Sequence, residues 1–331
     1  MALERLKKPW PDHRAERLLG AVSLSVGVVI IAMIVFVTIR AWPIFQHNGL
    51  SWLFDAHPPA SLEGEVSRMS AASSSPTAGD YTLSAWPVIY GTLLTTGMAV
   101  VLGLVLALLS SIFIVELAPA RVTRVVIPVV RLLASVPSVI YGLIGILVLV
   151  PYVGNHLVTE QQRKSIQGTA QLTGESLLVT VVILTVMITP IMIALICEAL
   201  SSVPSSWREG AIALGLNPLR AVRAVTLKAV RPAIVAAAVL ATARALGEAV
   251  MISMVSGGKF FSPRLGDGVV FFYEPLRTLA STIVDYREGL SSPPLGATIY
   301  AVAFLLLFAA FVLSVSGYLV KLPLRKYQTR G

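Results

Sequence analysis

The sequence predicts an all-α membrane protein with about six transmembrane helices, on three observations. Only 13% of the 331 residues are charged and 56% are apolar, where a soluble domain carries about 25% charged residues. The apolar residues gather into six runs, Leu18–Ile39, Ile89–Val115, Leu132–Val153, Leu177–Cys197, Val230–Val255 and Leu295–Val320. Each is long enough for a helix to cross roughly 30 Å of hydrocarbon. One such run would fit a buried core helix equally well, but six in one chain fit a bundle of spans.

In chain order, residues 1–17 form a basic segment with Arg5, Lys7, Lys8, Arg14 and Arg17. Residues 18–39 are the first span. They exceed the apolar core of a secretory signal, and no small-residue cleavage site follows them. Residues 40–88 form the longest connection. Its middle, Ser67–Gly79, is SRMSAASSSPTAG, a small, polar composition that predicts a flexible spacer. A core of five further spans occupies 89–320, with a cytoplasmic loop at 199–229 and a tail at 321–331. Pro119, Pro128 and Pro137 divide the second connection into short helical pieces. Pro190 predicts a kink in the fourth span. The fifth run is rich in alanine, which lets backbones approach closely and predicts a place at the bundle centre. The sixth run, with Leu305, Leu306, Leu307 and Phe308 in a row, reads as lipid-facing.

Lys and Arg concentrate in the N-terminal segment, the second and fourth connections and the tail, which predicts both termini in the cytoplasm. The net charge of +9 therefore reflects topology and contact with anionic lipid, and no basic cluster interleaved with aromatics points to nucleic acid. Cys197 is the single cysteine, so no intrachain disulfide forms. His13, His47, His57 and His156 lie outside the apolar runs without ligand spacing, and no metal site is expected.

Two constellations carry chemistry. Arg244 and Glu248, in ARALGEAVM, fall inside the fifth run. A charge there costs about 2.5–3.5 kcal/mol on the insertion scale. On a continuous helix the i,i+4 spacing sets the two about 40° apart on one face, as a structural ion pair or as an anion-pathway arginine with its counter-ion. A guanidinium offers planar, bidentate donors that suit a tetrahedral oxyanion. The other constellation is the connection EALSSVPSSWREGAIALGLNPLRAVRAVTLKAVRP. It predicts two short helices with a sharp turn at Gly215–Pro218, with Ala221, Val222, Val225 and Ala229 near one face. Such a helix-turn-helix either receives a cytoplasmic partner or rests on lipid headgroups. In the third run, Ser138 and Tyr141 either line a pathway or bond neighbouring backbone.

This connection resembles the docking loop of ABC importer permeases, which begins Glu-Ala-Ala, then three residues, then a glycine. Glu209, Ala211 and Gly215 match, with Val225 and Leu227 at the later offsets; Gly210 replaces an alanine, and Lys228 stands where a proline is usual. ARALGEAVM is similar to the corresponding stretch of oxyanion permeases. LSAWPVIYGTLLTT running into IFIVELAP, and SVPSVIYGLIG, resemble segments of phosphate permeases. These motifs extend from Leu83 to Gly258, in order and spacing. Sulfate and molybdate permeases usually carry Phe-Gly after the shared glutamate, whereas Ala249-Val250 follows here.

The chain is thus identified as resembling the PstC-type permease subunit of bacterial phosphate ABC importers. The resemblance implies a type I (MetI-like) fold in the bacterial cytoplasmic membrane. It implies phosphate transport by alternating access, with Arg244, Glu248, Ser138 and Tyr141 along the pathway and Arg208, Glu209, Gly210, Ala211, Gly215, Leu216 and Asn217 docking an ATPase. It also implies partners: a homologous PstA-type permease, two PstB-type ATPase subunits that bind ATP and Mg, and a PstS-type phosphate-binding protein. This chain has no G-x-x-x-x-G-K-[ST] motif, so it is expected to be no enzyme and to hold no cofactor itself. Another oxyanion importer, or an ATP-independent secondary transporter, is the alternative.

Overall fold

A computed structural model describes residues 13–54, 84–165, 171–260 and 262–325. The Ser67–Gly79 spacer and most of the two terminal segments lie outside the described residues. Among those described the chain is helical, with a lone parallel bridge between Gly257 and Leu276. Among the described residues five helices are long and apolar enough to span a membrane, and a bent pair of helices passes the same test taken together, giving six if it counts as one span.

The first helix runs His13–Asn48, past the predicted end at Ile39. Tertiary packing carries it on: Ala41 and Ile44 are buried with Trp52, Ala85, Ala297 and Ala301. Its most apolar window is 0% buried, so above this contact it presents Leu24, Ile31 and Ile34 outward. The second span, Trp86–Ile112, opens into a wide-turned segment Phe113–Leu117 before Pro119 stops it.

The third predicted run, Leu132–Val153, divides. Its first residues close an amphipathic helix, Ala120–Ala134, and the span itself covers Ser138–Leu157. The cause is Pro137, whose ring disfavours helical backbone in the residue before it. Wide turns at Gly145–Leu149 and Val153–Leu157 interrupt this span.

The fourth span, Leu177–Ser201, is capped by the Ser176 hydroxyl and runs as one helix through Pro190. It is the most buried, at 67% of its apolar window against 28% for the second and third and 22% for the sixth. This span, rather than the alanine-rich fifth, is the axis of the bundle. Leu184, Met187, Ile188, Met192 and Ile196 form its buried stripe. A Cβ on Gly103 of the second span would stand 2.7 Å from the Met192 methyl, so glycine lets the two helices close.

The fifth span is the bent pair, Pro218–Ala229 and Arg231–Leu246, at 65°. The predicted helix through Val255 breaks at Gly247–Ala249 and resumes as Val250–Val255. Ala237, Ala241 and Ala245 form a buried seam at helical spacing, against the second, fourth and sixth spans. The connection to the sixth span folds back onto the bundle through a short helix, Leu279–Asp285, opened by a Thr278–Ser281 capping box. The sixth span, Pro293–Arg325, exposes Leu307 and Phe308, while Leu305 and Leu306 pack against the cores around Val302 and Ala301.

Candidate functional site

The candidate site is built by the break in the fifth span. Arg231–Leu246 stops where Gly247 caps it, with Gly247 N–H on the Ala243 carbonyl at 3.3 Å. Arg244 is in the last turn of that helix, and its side chain is exposed to the open side of the chain. Glu248 lies beyond the helix end and is buried, 9% exposed. Its Oε1 accepts from the Met251 N–H at 3.1 Å, so the carboxylate serves the first turn of Val250–Val255. The expected i,i+4 geometry on one helix is therefore not formed, and no ion pair joins these two described residues. The reason is local: Gly247 ends the helix, and the freed Met251 amide competes for the carboxylate.

The third span supplies the facing wall. Gly142 meets the Met251 backbone, where an added Cβ would stand 3.2 Å from Cα. This close approach sets Ser138–Ile144 against Val250–Val255. Tyr141, half-buried, donates from its hydroxyl to the Leu133 carbonyl at 3.0 Å and lies within electrostatic range of Arg244. Ser138 opens the same helix after Pro137. Tyr141 thus stands within electrostatic range of Arg244, and Glu248 stands at the adjoining break.

The loop residues fall on a separate feature. Ser205–Ala213 is a helix, and its end has a paired closure: Leu216 N–H on the Ala211 carbonyl at 3.2 Å and Gly215 N–H on the Ile212 carbonyl at 2.8 Å. Gly215 has φ +87°, backbone that a residue with a Cβ rarely adopts. Asn217 then caps the next helix by accepting from Leu219 N–H at 2.9 Å. The predicted turn is observed. Glu209 and Gly210 are exposed, Ala211 is buried, and Leu216 is half-buried. Trp207, Ile212, Leu214 and Leu219 leave an apolar surface open around them, with Leu214 87% exposed. Arg208 points the other way and pairs with Glu116 of the second span's wide-turned end.

Two buried groups outside these motifs escaped sequence reasoning. Arg277 packs against the stacked rings of Phe260 and Tyr286, with its guanidinium carbon 4.9 and 4.6 Å from their centroids. Its Nε donates to the Gly258 carbonyl at 2.8 Å, and its Nη1 sits 3.3 Å from Asp285 Oδ2. Asp285 in turn accepts from the Ser253 hydroxyl. Glu274, 0% exposed, accepts from Arg264 N–H at 3.0 Å. Burial first, then neighbouring Asp267, pushes its carboxyl up to about 7 against the Arg264 contacts. The signal available was the run EPLR directly before an apolar segment, since a charge placed there must be buried or paired.

The arrangement holds a bundle of spans, an arginine at a helix break and a rigid turn with an apolar surface. Comparison with known proteins accounts for that combination. Residues 99–322 match the sequence family described as binding-protein-dependent transport system inner membrane component. The chain is 31% identical over 253 residues to the probable ABC transporter permease protein YqgH of Bacillus subtilis, covering 76% of this chain and 74% of that one. It is 35% identical over 212 residues to the phosphate transport system permease protein PstC 1 of Mycobacterium tuberculosis, covering 62% and 61%. It is 26% identical over 289 residues to the phosphate transport system permease protein PstC of Haemophilus influenzae, covering 83% and 82%. A solved chain of the inward-facing MetNI methionine ABC transporter is similar at 20% identity and a TM-score of 0.48, covering 71% of this chain and 94% of that one. The family match runs from within the second span into the end of the sixth and takes in the helix break and the turn alike, and the chain belongs to the family of binding-protein-dependent transport system inner membrane components.

Proposed function

We propose that this chain is a PstC-type permease subunit of an ATP-driven phosphate importer. The carrying observation is Arg244: a guanidinium at the broken fifth span, exposed and free of any ion pair with Glu248, in a chain whose relatives are named phosphate transport permeases. Planar N–H donors there can grip two oxygens of a tetrahedral anion at once. Glu248, held by the Met251 amide, keeps the break in shape and sets a negative group beside the pathway, which limits how tightly an anion is retained. Tyr141 and Ser138 flank the same wall.

The chain works in a complex: a PstA-type sister permease, two PstB-type subunits that bind ATP and Mg, and a PstS-type protein that delivers phosphate from outside. Both termini lie in the cytoplasm of a bacterial cell. The turn from Glu209 to Asn217 seats in an ATPase subunit through the apolar surface around Leu214, as its exposure and its closure favour, with Arg208 on the inner side of the same helix. The test is ATP-driven uptake of labelled phosphate into vesicles holding the full complex, challenged with excess sulfate and molybdate. Phosphate should enter without competition, and Arg244→Gln should abolish uptake while expression holds. Entry of sulfate or molybdate instead would reassign the substrate, and wild-type uptake by Arg244→Gln would remove the arginine from the pathway.

A further inference from the structure

We infer that the Glu116–Arg208 pair is the strut through which the docking turn moves the second span; this rests on the docking reading above. The docking helix, Ser205–Ala213, packs chiefly on the segment that follows it, Pro218–Thr226 in the first limb of the bent pair, and on none of the other spans to a comparable extent. Its tie to the second span is Arg208, whose guanidinium reaches across 92 residues of sequence to the Glu116 carboxylate. The two ends differ in setting. The Glu116 side chain is 4% exposed, and that of Arg208 is 37% exposed.

A buried carboxylate holds its partner because separation would strand a charge away from water. When the docking helix shifts, the Glu116 end of the second span must follow. That end is built to move as a unit. It lies in the wide-turned segment Phe113–Leu117, closed by Ala118 N–H on the Phe113 carbonyl at 2.8 Å. The Thr123 hydroxyl ties it to the amphipathic helix through the Ile114 carbonyl at 2.9 Å. Ser111 reaches the Ile193 carbonyl of the axial fourth span at 3.4 Å. A cavity of about 410 Å³ lined by Glu116, Ser202, Pro204, Arg208 and Thr226 leaves room for displacement around the pair. Arg208 is thus a positioning residue that faces inward, while the apolar surface of the same helix faces the ATPase.

The experiment uses the complete reconstituted complex and reads phosphate taken up per ATP hydrolysed. The double neutral variant Glu116→Gln/Arg208→Gln buries no charge and should assemble, yet its uptake per ATP should fall within the 5- to 150-fold range, about, of inter-site coupling. The swapped variant Glu116→Arg/Arg208→Glu should recover most of the loss. A merely structural pair predicts the opposite pattern: the double neutral variant keeps the wild-type ratio, and that result overturns the inference. A swapped variant that assembles but stays as uncoupled as the neutral one overturns it as well. The single variant Arg208→Gln decides the matter if the double variant does not assemble, with an unchanged ratio counting against the strut. A Leu214→Cys probe cross-linked to the ATPase subunit in the otherwise unmodified complex separates the two readings. Failure to cross-link removes the docking reading; cross-linking with an unchanged ratio in the double variant removes the strut alone.

Discussion

Gly91→Ala tests whether the outer connection is seated on the bundle as closely as described. Gly91 is one turn into the second span, and a Cβ there would stand 2.2 Å from the Arg277 carbonyl oxygen and 3.2 Å from its carbonyl carbon. Ordinary contact begins near 3.4 Å, so the two backbones must part by about 1.2 Å. Neither is a flexible side-chain tip. The Arg277 backbone is anchored by its own side chain against the Phe260 and Tyr286 rings, and Leu279 N–H donates to the Thr92 hydroxyl at 2.9 Å beside it. Overpacking of this kind costs about 1–3 kcal/mol, against about 0.5–1 kcal/mol regained by replacing glycine with alanine in a helix. Gly97, two turns further along the same helix, has nothing within 4 Å, so Gly97→Ala keeps only the gain. The midpoint of thermal inactivation of the purified complex should fall for Gly91→Ala and hold or rise for Gly97→Ala. Amide exchange over 276–285 should quicken only in the former. Equal shifts for the two variants would refute the close seating of the outer connection.

Other outcomes follow from single features. Gly215→Val forces a β-branched residue to φ +87° in open space, a backbone cost of about 1–2 kcal/mol; co-purification of the ATPase should drop, and Gly215→Asn should retain it. Arg277→Gln removes a buried guanidinium, with its hydrogen bond to the Gly258 carbonyl and its ion pair to the partly exposed Asp285, and should destabilise by about 1–3 kcal/mol, with Arg277→Gln/Asp285→Asn recovering little in the same unfolding assay. The Glu274 carboxyl, raised to about 7 by burial from its ordinary 4.5, binds more protons folded than unfolded. Its contribution is complete below about 4.5 and is lost as pH rises through about 7. Amide protection over 264–278, corrected for intrinsic rates, should therefore weaken between pH 5 and 8, and Glu274→Gln should flatten that dependence.

Much of this architecture was legible because a bilayer makes length and apolarity decisive. Each long apolar helix overlaps a predicted apolar run, though the bounds of the first, third and fifth shift, and the turn followed from Gly215, Asn217 and Pro218, whose backbone preferences are local. Errors arose where a neighbour overrode the local signal. Leu132–Ala134 are as apolar as any span, but Pro137 cuts them off. The fifth run stays apolar through Val255, so Gly247 alone marked its break, and glycine inside a transmembrane helix is ordinary. The Arg244–Glu248 spacing presumed the helix that this break removes. Alanine content placed the fifth span at the centre, whereas burial falls on the fourth, whose larger side chains occupy the axis. Glu116–Arg208 and Arg277–Asp285 depend on the fold bringing distant residues together.

The wide turns described in the second and third spans have a consequence for how this protein tolerates changes in length. Each such turn equals one residue inserted into an α-helix, and rotates everything beyond it by about 100°. Deleting a residue within Gly145–Leu149 would restore ordinary winding and keep the hydrogen bonds, but it would turn Val153 and Gly154 off their buried face. The same deletion inside the uninterrupted fourth span has no slack to absorb it. The membrane domain is therefore elastic in register at a few marked positions and rigid elsewhere, and a library of single-residue deletions would read as a map of where the helices are overfull.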